Sequence, residues 1–226
     1  DWDRVIAIAS DALSHKTKDL QIAAWLTEAL TMEEGFGGLA AGLALTKGLM
    51  DSFWETLYPR IEDGDLEYRV APLEFMNEKL WAIIKQVPVT DRSRTDGYSW
   101  LKWQESREAR GAEQGRLTVE EFDKAVAATP SAFYAATCDD LAACMEVFRA
   151  LDAVTDEKFG RDAPRLTELG QAIDDCFQLV QRICKDRGLA PSAAKEDAAE
   201  ALSGQEAKRV YEGPSIPSSE TSRANA

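Results

Sequence analysis

The sequence predicts an all-α protein, and three observations support that fold class. Large apolar residues recur in steps of three and four along most of the chain, as on one face of an α-helix. No stretch shows the strict apolar–polar alternation of a half-buried strand. Proline, glycine and short polar runs separate the periodic stretches into about seven to eight helices. We therefore expect an antiparallel helical bundle of two packed subdomains, residues 1–110 and 111–188, followed by a polar linker over 189–226.

The first two predicted helices are short and adjacent in the chain. Residues 2–13 place Val5, Ile6 and Leu13 on one face, and residues 19–30 carry a second apolar set. The polar turn at residues 16–18 lies between the two helices, and so short a turn favours antiparallel packing.

The third predicted helix spans residues 37–57, roughly 30 Å at 1.5 Å per residue. Its two interior glycines, Gly38 and Gly42, lie on one face, and each costs about 1 kcal/mol of helix propensity relative to alanine. Because a face without Cβ atoms lets a neighbouring helix approach, we expect a tight helix crossing at this pair. Pro59 stops the helix and drives Tyr58 toward extended geometry.

An acidic turn follows the third helix, and its Asp-Gly dipeptide supplies backbone freedom. The carboxylates of Glu62, Asp63 and Asp65 are of the type that divalent cations prefer, but the turn lacks the ligand spacing of a calcium loop. We expect a structural turn in which Arg69 pairs with one of these acids and fixes the exit from the long helix.

A fourth helix is predicted over 70–87, with Trp81 in its apolar set. Trp100 and Trp103 open the next helix, and their spacing of three places them on one face. Two interpretations stay open for this pair. Either it fills the core against Trp81, or it anchors a protein partner, since tryptophan and arginine dominate interface hot spots. Arg107, further along the same helix, fits both interpretations.

Three more helices are predicted in the second half of the chain. Thr118 and Glu121 have the spacing of a capping box, so one helix begins there. Pro130 suits the first turn of the next helix. The last helix begins near residue 162 with a regular apolar stripe, and Gly188 is its expected C-terminal cap.

The character of the chain changes from residue 189 onward. Large aliphatic residues become rare, while proline, serine and alanine dominate the end. Such a segment buries too little apolar surface to hold itself folded, although residues 193–202 have a helix-forming composition. We expect a linker toward a C-terminal region that lies beyond this chain.

The composition argues against several classes of partner. The formal net charge of −14 disfavours nucleic acid and anionic membranes, because both need clustered lysine and arginine. No apolar run approaches the ~20 residues that span a bilayer, and no signal segment opens the chain. We therefore expect a cytoplasmic protein without membrane insertion.

The cysteines and the single histidine form no recognisable catalytic or metal motif. Cys138, Cys144, Cys176 and Cys184 contain no CxxC pair, and a metal site would need their thiols to converge from two helices with help from His15. We expect small buried apolar cysteines in a reducing compartment and a histidine in a solvated or helix-dipole role. No catalytic, cofactor-binding or metal-binding residue is predicted, so we expect no enzyme.

The motifs of the first third of the chain resemble the ImpA-related N-terminal domain of TssA proteins from bacterial type VI secretion systems. The shared pattern is GLxxGLxL followed by W, YP, DGD and R, with DW and KDL elements upstream. Several short motifs in one order are far more specific than any single one. The matching positions are Gly38, Leu39, Gly42, Leu43, Leu45, Trp54, Tyr58, Pro59, Asp63, Gly64, Asp65 and Arg69.

The resemblance implies a non-enzymatic structural component that contacts baseplate and tail tube or sheath proteins and assists tube–sheath assembly. It also implies that the C-terminal region of the full-length protein forms a ring. We therefore expect this chain alone to be a peripheral arm, a monomer or weak dimer. The alternative is a freestanding helical adaptor or regulatory protein-binding module, and an acidic-site hydrolase is a third interpretation.

Overall fold

The structure is a computed structural model that describes residues 1–108 and 116–189. Every regular element in these two ranges is helical, which confirms the predicted all-α class. The predicted linker, its helix over 193–202 and the boundary at residue 110 lie outside the described residues, so the domain division stays a prediction. The α-helices of the described ranges are α1 (Trp2–His15), α2 (Leu20–Phe53), α3 (Glu67–Ile84), α4 (Trp100–Glu108), α5 (Val119–Ala128), α6 (Ser131–Phe159) and α7 (Thr167–Asp186).

The helices enclose one continuous apolar core. Helix α2 packs against α1, α3 and α6, while α7 packs against α3, α4 and α6. Fully buried leucines and isoleucines come from helices on both sides of the predicted subdomain boundary, for example Leu43, Leu80, Leu141 and Ile173. Burial of such side chains contributes about 1.5–3 kcal/mol each, which makes this core the main source of stability.

Helix α2 joins two helices that the sequence predicts as separate. Its element runs through Gly35, whose φ of 64° and ψ of −135° are not helical, so α2 has two arms that meet at a sharp bend. Glycine tolerates this left-handed conformation because it has no Cβ. A glycine between two apolar-periodic stretches is the sequence signal that marks the bend.

The two arms of α2 pack against each other where the sequence predicts a tight crossing. A Cβ added to Gly42 would lie 2.6 Å from the side chain of Thr27, and one added to Gly38 would lie 2.1 Å from the carbonyl oxygen of Leu30. The close approach expected at both glycines is therefore present, and the neighbour is the first arm of the same element.

Helix α2 ends at Phe53, four residues before the predicted end at residue 57. The physical reason is long-range pairing: the Tyr58 N–H donates to the Lys18 carbonyl at 2.8 Å, and the Leu20 N–H donates to the Tyr58 carbonyl at 2.9 Å. These bonds draw the chain after α2 beside the start of that helix and away from a helical path.

Helix α3 also differs from its predicted bounds. It begins at Glu67 and ends at Ile84, three residues earlier at each end than predicted. Val89 then donates its N–H to the Tyr98 carbonyl at 2.8 Å, so the chain from 88 to 99 closes as a loop. Trp81 is 39% exposed, which makes its predicted place in the core wrong.

The second half follows the predicted caps more closely. The Glu121 N–H donates to the Thr118 hydroxyl at 3.2 Å and the Thr118 N–H donates to the Glu121 carboxylate at 2.8 Å, so the capping box is confirmed. A 3₁₀ turn, Gly160–Asp162, precedes α7, which delays the start of that helix to Thr167. None of the helices in the described ranges combines the length and apolarity of a membrane-spanning segment.

Candidate functional site

The segment that connects α2 to α3 is held from inside by Arg69. This side chain is fully buried, and its guanidinium donates to the carbonyl oxygens of Pro59 at 2.9 Å, Trp54 at 2.7 Å and Leu57. The same guanidinium lies 4.6 Å from the centroid of the Trp54 ring. A planar guanidinium suits this arrangement because its N–H groups diverge in one plane while its face stacks on an aromatic ring. Arg69 therefore ties both ends of the connection together.

The partners of Arg69 differ from those predicted. No ion pair joins Arg69 to Asp63 or Asp65 in the described part of the chain. The exposed Asp65 carboxylate instead accepts the Glu67 N–H at 2.8 Å, two residues further along the chain. Burial lowers the pKa of the Arg69 guanidinium, with a smaller opposing effect from the nearby Glu55. A buried arginine keeps its charge, so carbonyl dipoles and the Trp54 ring replace the carboxylate partner.

In contrast to the buried Arg69, several side chains of the connection and of the first turn of α3 are exposed to solvent. Tyr58 is 42% exposed and Tyr68 is 65% exposed. The Arg60 guanidinium lies 4.6 Å from the centroid of the Tyr58 ring. We call Tyr58, Arg60 and Tyr68 the turn surface. Tyrosine and arginine are the residue types that concentrate binding energy at protein interfaces.

The acidic residues of the turn are exposed as well. Glu62 and Asp65 form an isolated backbone bridge around Gly64, whose φ is 81°, and Asp63 has a φ of 52°. Among the described residues no group of three histidine, cysteine or acidic side chains is placed to hold a metal ion. The geometry of these residues is that of a tight turn.

Trp100 and Trp103 form a half-buried aromatic pair at the start of α4. Their ring centroids are 6.0 Å apart, and both rings pack on the edge of the core. The Lys85 ammonium lies 4.1 Å from the Trp100 ring and 2.6 Å from the Asp175 carboxylate. The pair therefore helps to join α3, α4 and α7. Trp81, which one interpretation of the sequence places against the pair in the core, is exposed.

The predicted site residue Arg107 connects two neighbouring helices. Its guanidinium lies 2.9 Å from the Asp123 carboxylate, which links α4 to α5. Both side chains are well exposed, so this pair contributes at most about 1 kcal/mol. The structure brings Arg107 and the two tryptophans onto one helix but does not join them to the turn surface through any contact among the described residues.

A groove of about 430 Å³ lies beside the bend at Gly35 and is a feature that the sequence did not predict. Apolar side chains such as Phe36 and Phe133 line it together with the carboxylates of Glu34 and Asp140. More than half of the lining residues are polar or charged, so the groove is a mixed surface cleft and not an apolar ligand pocket. Its residues come from distant parts of the chain, which is why sequence pattern gave no signal for it.

His15 lies at the end of α1 and is largely exposed. Its imidazole is 3.3 Å from the Asp11 carboxylate, one helical turn earlier. This position agrees with the predicted solvated role at a helix C-terminus.

Comparison with known proteins relates the first third of the chain to secretion proteins. The family model described as ImpA, N-terminal, type VI secretion system matches residues 1–78. These residues include the two arms of α2, the turn surface and Arg69. The "Type VI secretion system component TssA1" of Pseudomonas aeruginosa is 34% identical over 101 residues, which cover 43% of this chain and 29% of that protein. The match thus spans less than a third of the relative's length.

A solved structure extends the similarity to most of the fold. It is the N-terminal domain, including the conserved ImpA_N region, of the TssA component of the type VI secretion system from Burkholderia cenocepacia. The two chains are 31% identical and superpose with a TM-score of 0.78 over 84% of this chain and 80% of that one. The likeness therefore reaches beyond the segment that the family model matches.

Proposed function

We propose that this chain, which belongs to the TssA family of type VI secretion components with an ImpA-type N-terminal domain, is a protein-binding arm of its full-length protein. Through this arm the protein contacts baseplate and tail tube or sheath proteins and assists tube–sheath assembly in the cytoplasm. The role is structural and needs no cofactor. Oligomerisation into a ring belongs to the C-terminal region of the full-length protein.

The observation that supports this proposal is that buried anchoring residues and exposed aromatic and basic residues lie side by side within the family-matched segment. Arg69 and Trp54 hold the connection from inside, whereas Tyr58 and Arg60 of the connection and Tyr68 in the first turn of α3 are exposed to solvent. An exposed tyrosine loses little conformational entropy on binding and offers both apolar area and a hydroxyl. A rigidly held surface of this composition suits a protein partner.

The experiment compares the turn surface with an exposed apolar residue elsewhere in the matched segment. Full-length protein carrying Tyr68→Ala, Arg60→Ala or both is expressed in the secretion-competent host. We expect weaker co-purification of the host's own baseplate and tail proteins and reduced secretion of the tube protein. The control is Ile8→Ala, because Ile8 is 60% exposed on α1.

Thermal unfolding of each variant separates binding from folding. Tyr68→Ala and Arg60→Ala should keep the wild-type melting temperature, since surface substitutions usually change stability by less than about 0.5 kcal/mol. Normal secretion by a strain that lacks the whole protein would contradict the proposal and favour a freestanding adaptor or regulator. Normal binding and secretion by the double variant would show that the turn surface is not the surface through which the protein binds its partners.

A further inference from the structure

We propose that Cys138 and Cys184 form an oxidation site, in which a hydroperoxide converts the two thiols into a disulfide that joins α6 to α7. Their sulfur atoms are 3.1 Å apart although the residues are 46 positions apart in the sequence. Both cysteines are free of disulfide bonds and half-buried. This inference stands independently of the proposed binding role.

The backbone at Cys184 is fixed by the cap of α7. The Leu189 N–H donates to the Cys184 carbonyl at 2.9 Å and the Gly188 N–H donates to the Lys185 carbonyl at 3.0 Å. With Gly188 at a φ of 65°, these two bonds form a Schellman motif, which confirms the predicted glycine cap. The Cys184 carbonyl thus accepts the longer-range hydrogen bond of the motif.

A second contact fastens the same end of α7 to the junction of α5 and α6. The Arg187 guanidinium donates to the carbonyl oxygens of Thr129 at 2.7 Å and Val126 at 3.1 Å. Cys138 lies two turns along α6 from that junction. The cap and the arginine together hold the thiol of Cys184 opposite that of Cys138, so a disulfide needs only a small approach of the sulfur atoms.

The other two cysteines differ in access and in partners. Cys144 and Cys176 are fully buried. The Cys144 thiol donates to the Phe36 carbonyl at 3.1 Å, and the Cys176 thiol lies 3.7 Å from the Ile84 carbonyl. Because solvent does not reach these thiols, a dissolved oxidant should select the Cys138–Cys184 pair.

The chemistry balances with one hydroperoxide per pair. One thiolate attacks the peroxide oxygen, which breaks the O–O bond, gives a sulfenic acid and releases water from hydrogen peroxide. The second thiol then attacks the sulfenic sulfur, and hydroxide leaves as a second water. Two thiols lose two electrons and two protons in all, and the peroxide accepts both electrons.

Burial sets the rate of this reaction. Desolvation, followed by the neighbouring Cys184, raises the pKa of the Cys138 thiol to about 12. The thiolate is the reactive form, so oxidation at neutral pH is slow and requires sustained exposure to peroxide. The pair is therefore expected to stay reduced in ordinary conditions and to close under oxidative stress.

The disulfide would fasten the last described helix at the end from which the chain continues. A cross-link between positions 46 apart restricts the unfolded chain, so oxidation should raise the melting temperature by several degrees. It should also reduce local opening of the C-terminal turn of α7, where hydrogen exchange of the amides would slow.

The test oxidises the 226-residue chain with hydrogen peroxide and identifies the products by mass spectrometry of proteolytic peptides. We expect the loss of two of the four thiols, a mass decrease of two hydrogen atoms and a peptide pair joined through Cys138 and Cys184. Cys138→Ala and Cys184→Ala should each abolish this linkage and the rise in melting temperature. Oxidation to sulfinic or sulfonic acid without the linkage, or cross-links only between chains, would overturn the proposal.

A second measurement tests proximity without an oxidant. Phenylarsine oxide forms two As–S bonds with a pair of adjacent thiols and releases one water. One equivalent should bind the reduced chain, and neither single variant should retain it. Failure of the folded wild-type chain to bind the arsenical would contradict the pairing of these thiols.

Discussion

The Arg69 guanidinium stacks on the Trp54 ring, with 4.6 Å between its central carbon and the ring centroid, and donates a 2.7 Å hydrogen bond to the carbonyl oxygen of the same tryptophan. The Trp54 ring also meets Phe159 edge-on at 5.1 Å between centroids. Arg69 thus connects the end of α2 and the start of α3 to the end of α6. This relationship anchors the connection between α2 and α3 to the core.

Replacing Arg69 should destabilise the fold strongly. Arg69→Met keeps much of the apolar stem but leaves the carbonyl oxygens of Pro59, Trp54 and Leu57 without their donor. Each unsatisfied buried group costs about 1–3 kcal/mol, so we expect a loss of roughly 3 kcal/mol or more in the free energy of unfolding. Urea denaturation followed by circular dichroism measures the change.

The matched control is Arg60→Met, because Arg60 is an exposed arginine of the same connection whose guanidinium lies against the Tyr58 ring. It should change stability by less than about 1 kcal/mol. Equal stability of the Arg69 and Arg60 variants would show that the buried hydrogen bonds of Arg69 do not stabilise the fold.

Two glycines of the second arm of α2 should respond oppositely to a larger side chain. Gly42→Leu must displace Thr27, whose side chain would lie 2.6 Å from the added Cβ, so we expect overpacking by roughly 1–3 kcal/mol. Gly48→Ala meets nothing within 4 Å and should stabilise the helix by up to about 1 kcal/mol. Thermal unfolding of both variants compares them. A Gly42→Leu variant that melts at or above the wild-type temperature would disprove the tight crossing.

Tyr134 should make stability depend on pH in the alkaline range. Burial raises the pKa of its hydroxyl to about 12, against the opposing influence of Thr129 and Arg187. Below pH 10 the hydroxyl stays protonated in the folded and unfolded chains alike. Between about pH 10 and 12 the unfolded chain loses this proton first, so up to roughly 2–3 kcal/mol of stability is lost as the pH rises.

Burial also raises the pKa of the Cys144 thiol to about 12, so this thiol contributes to the alkaline loss of stability as well. Tyr134→Phe isolates the effect of the tyrosine, because the thiol is present in both proteins. The Tyr134 hydroxyl is buried without a hydrogen-bond partner among the described residues, so its removal should leave stability at pH 7 unchanged or raise it by about 1 kcal/mol. The variant should also lose less stability between pH 10 and 12. Identical alkaline profiles for both proteins would contradict the assignment.

The chain of 226 residues should not build a ring by itself. A net charge of −14 opposes association of identical copies, and a stable ring needs a large apolar interface. Exposed large apolar residues such as Ile8, Trp25 and Tyr68 are distributed over α1, α2 and α3. Size exclusion with light scattering at micromolar concentration should give a monomer or a weak dimer. A stable hexamer would place the assembly determinant within this chain.

The sequence by itself determined the helical class, most helix positions and the local caps. Apolar residues at spacings of three and four decide which face of a helix is buried, and a capping box such as Thr118–Glu121 closes within one turn. These signals act between near neighbours, so they can be read without knowing the fold. The motifs around Gly38, Gly42 and Arg69 also sufficed to identify the family.

Only the tertiary structure decided which distant groups meet. Arg69 has acidic residues nearby in sequence, yet its partners are carbonyl oxygens and the Trp54 ring, because its side chain is buried whereas Asp63 and Asp65 lie on an exposed turn. The pairing of Cys138 with Cys184 likewise depends on how whole helices pack. Residues far apart in the chain are brought together because apolar helix faces are buried against each other. A local pattern shows which face of a helix is apolar, but it does not show which other helix that face packs against.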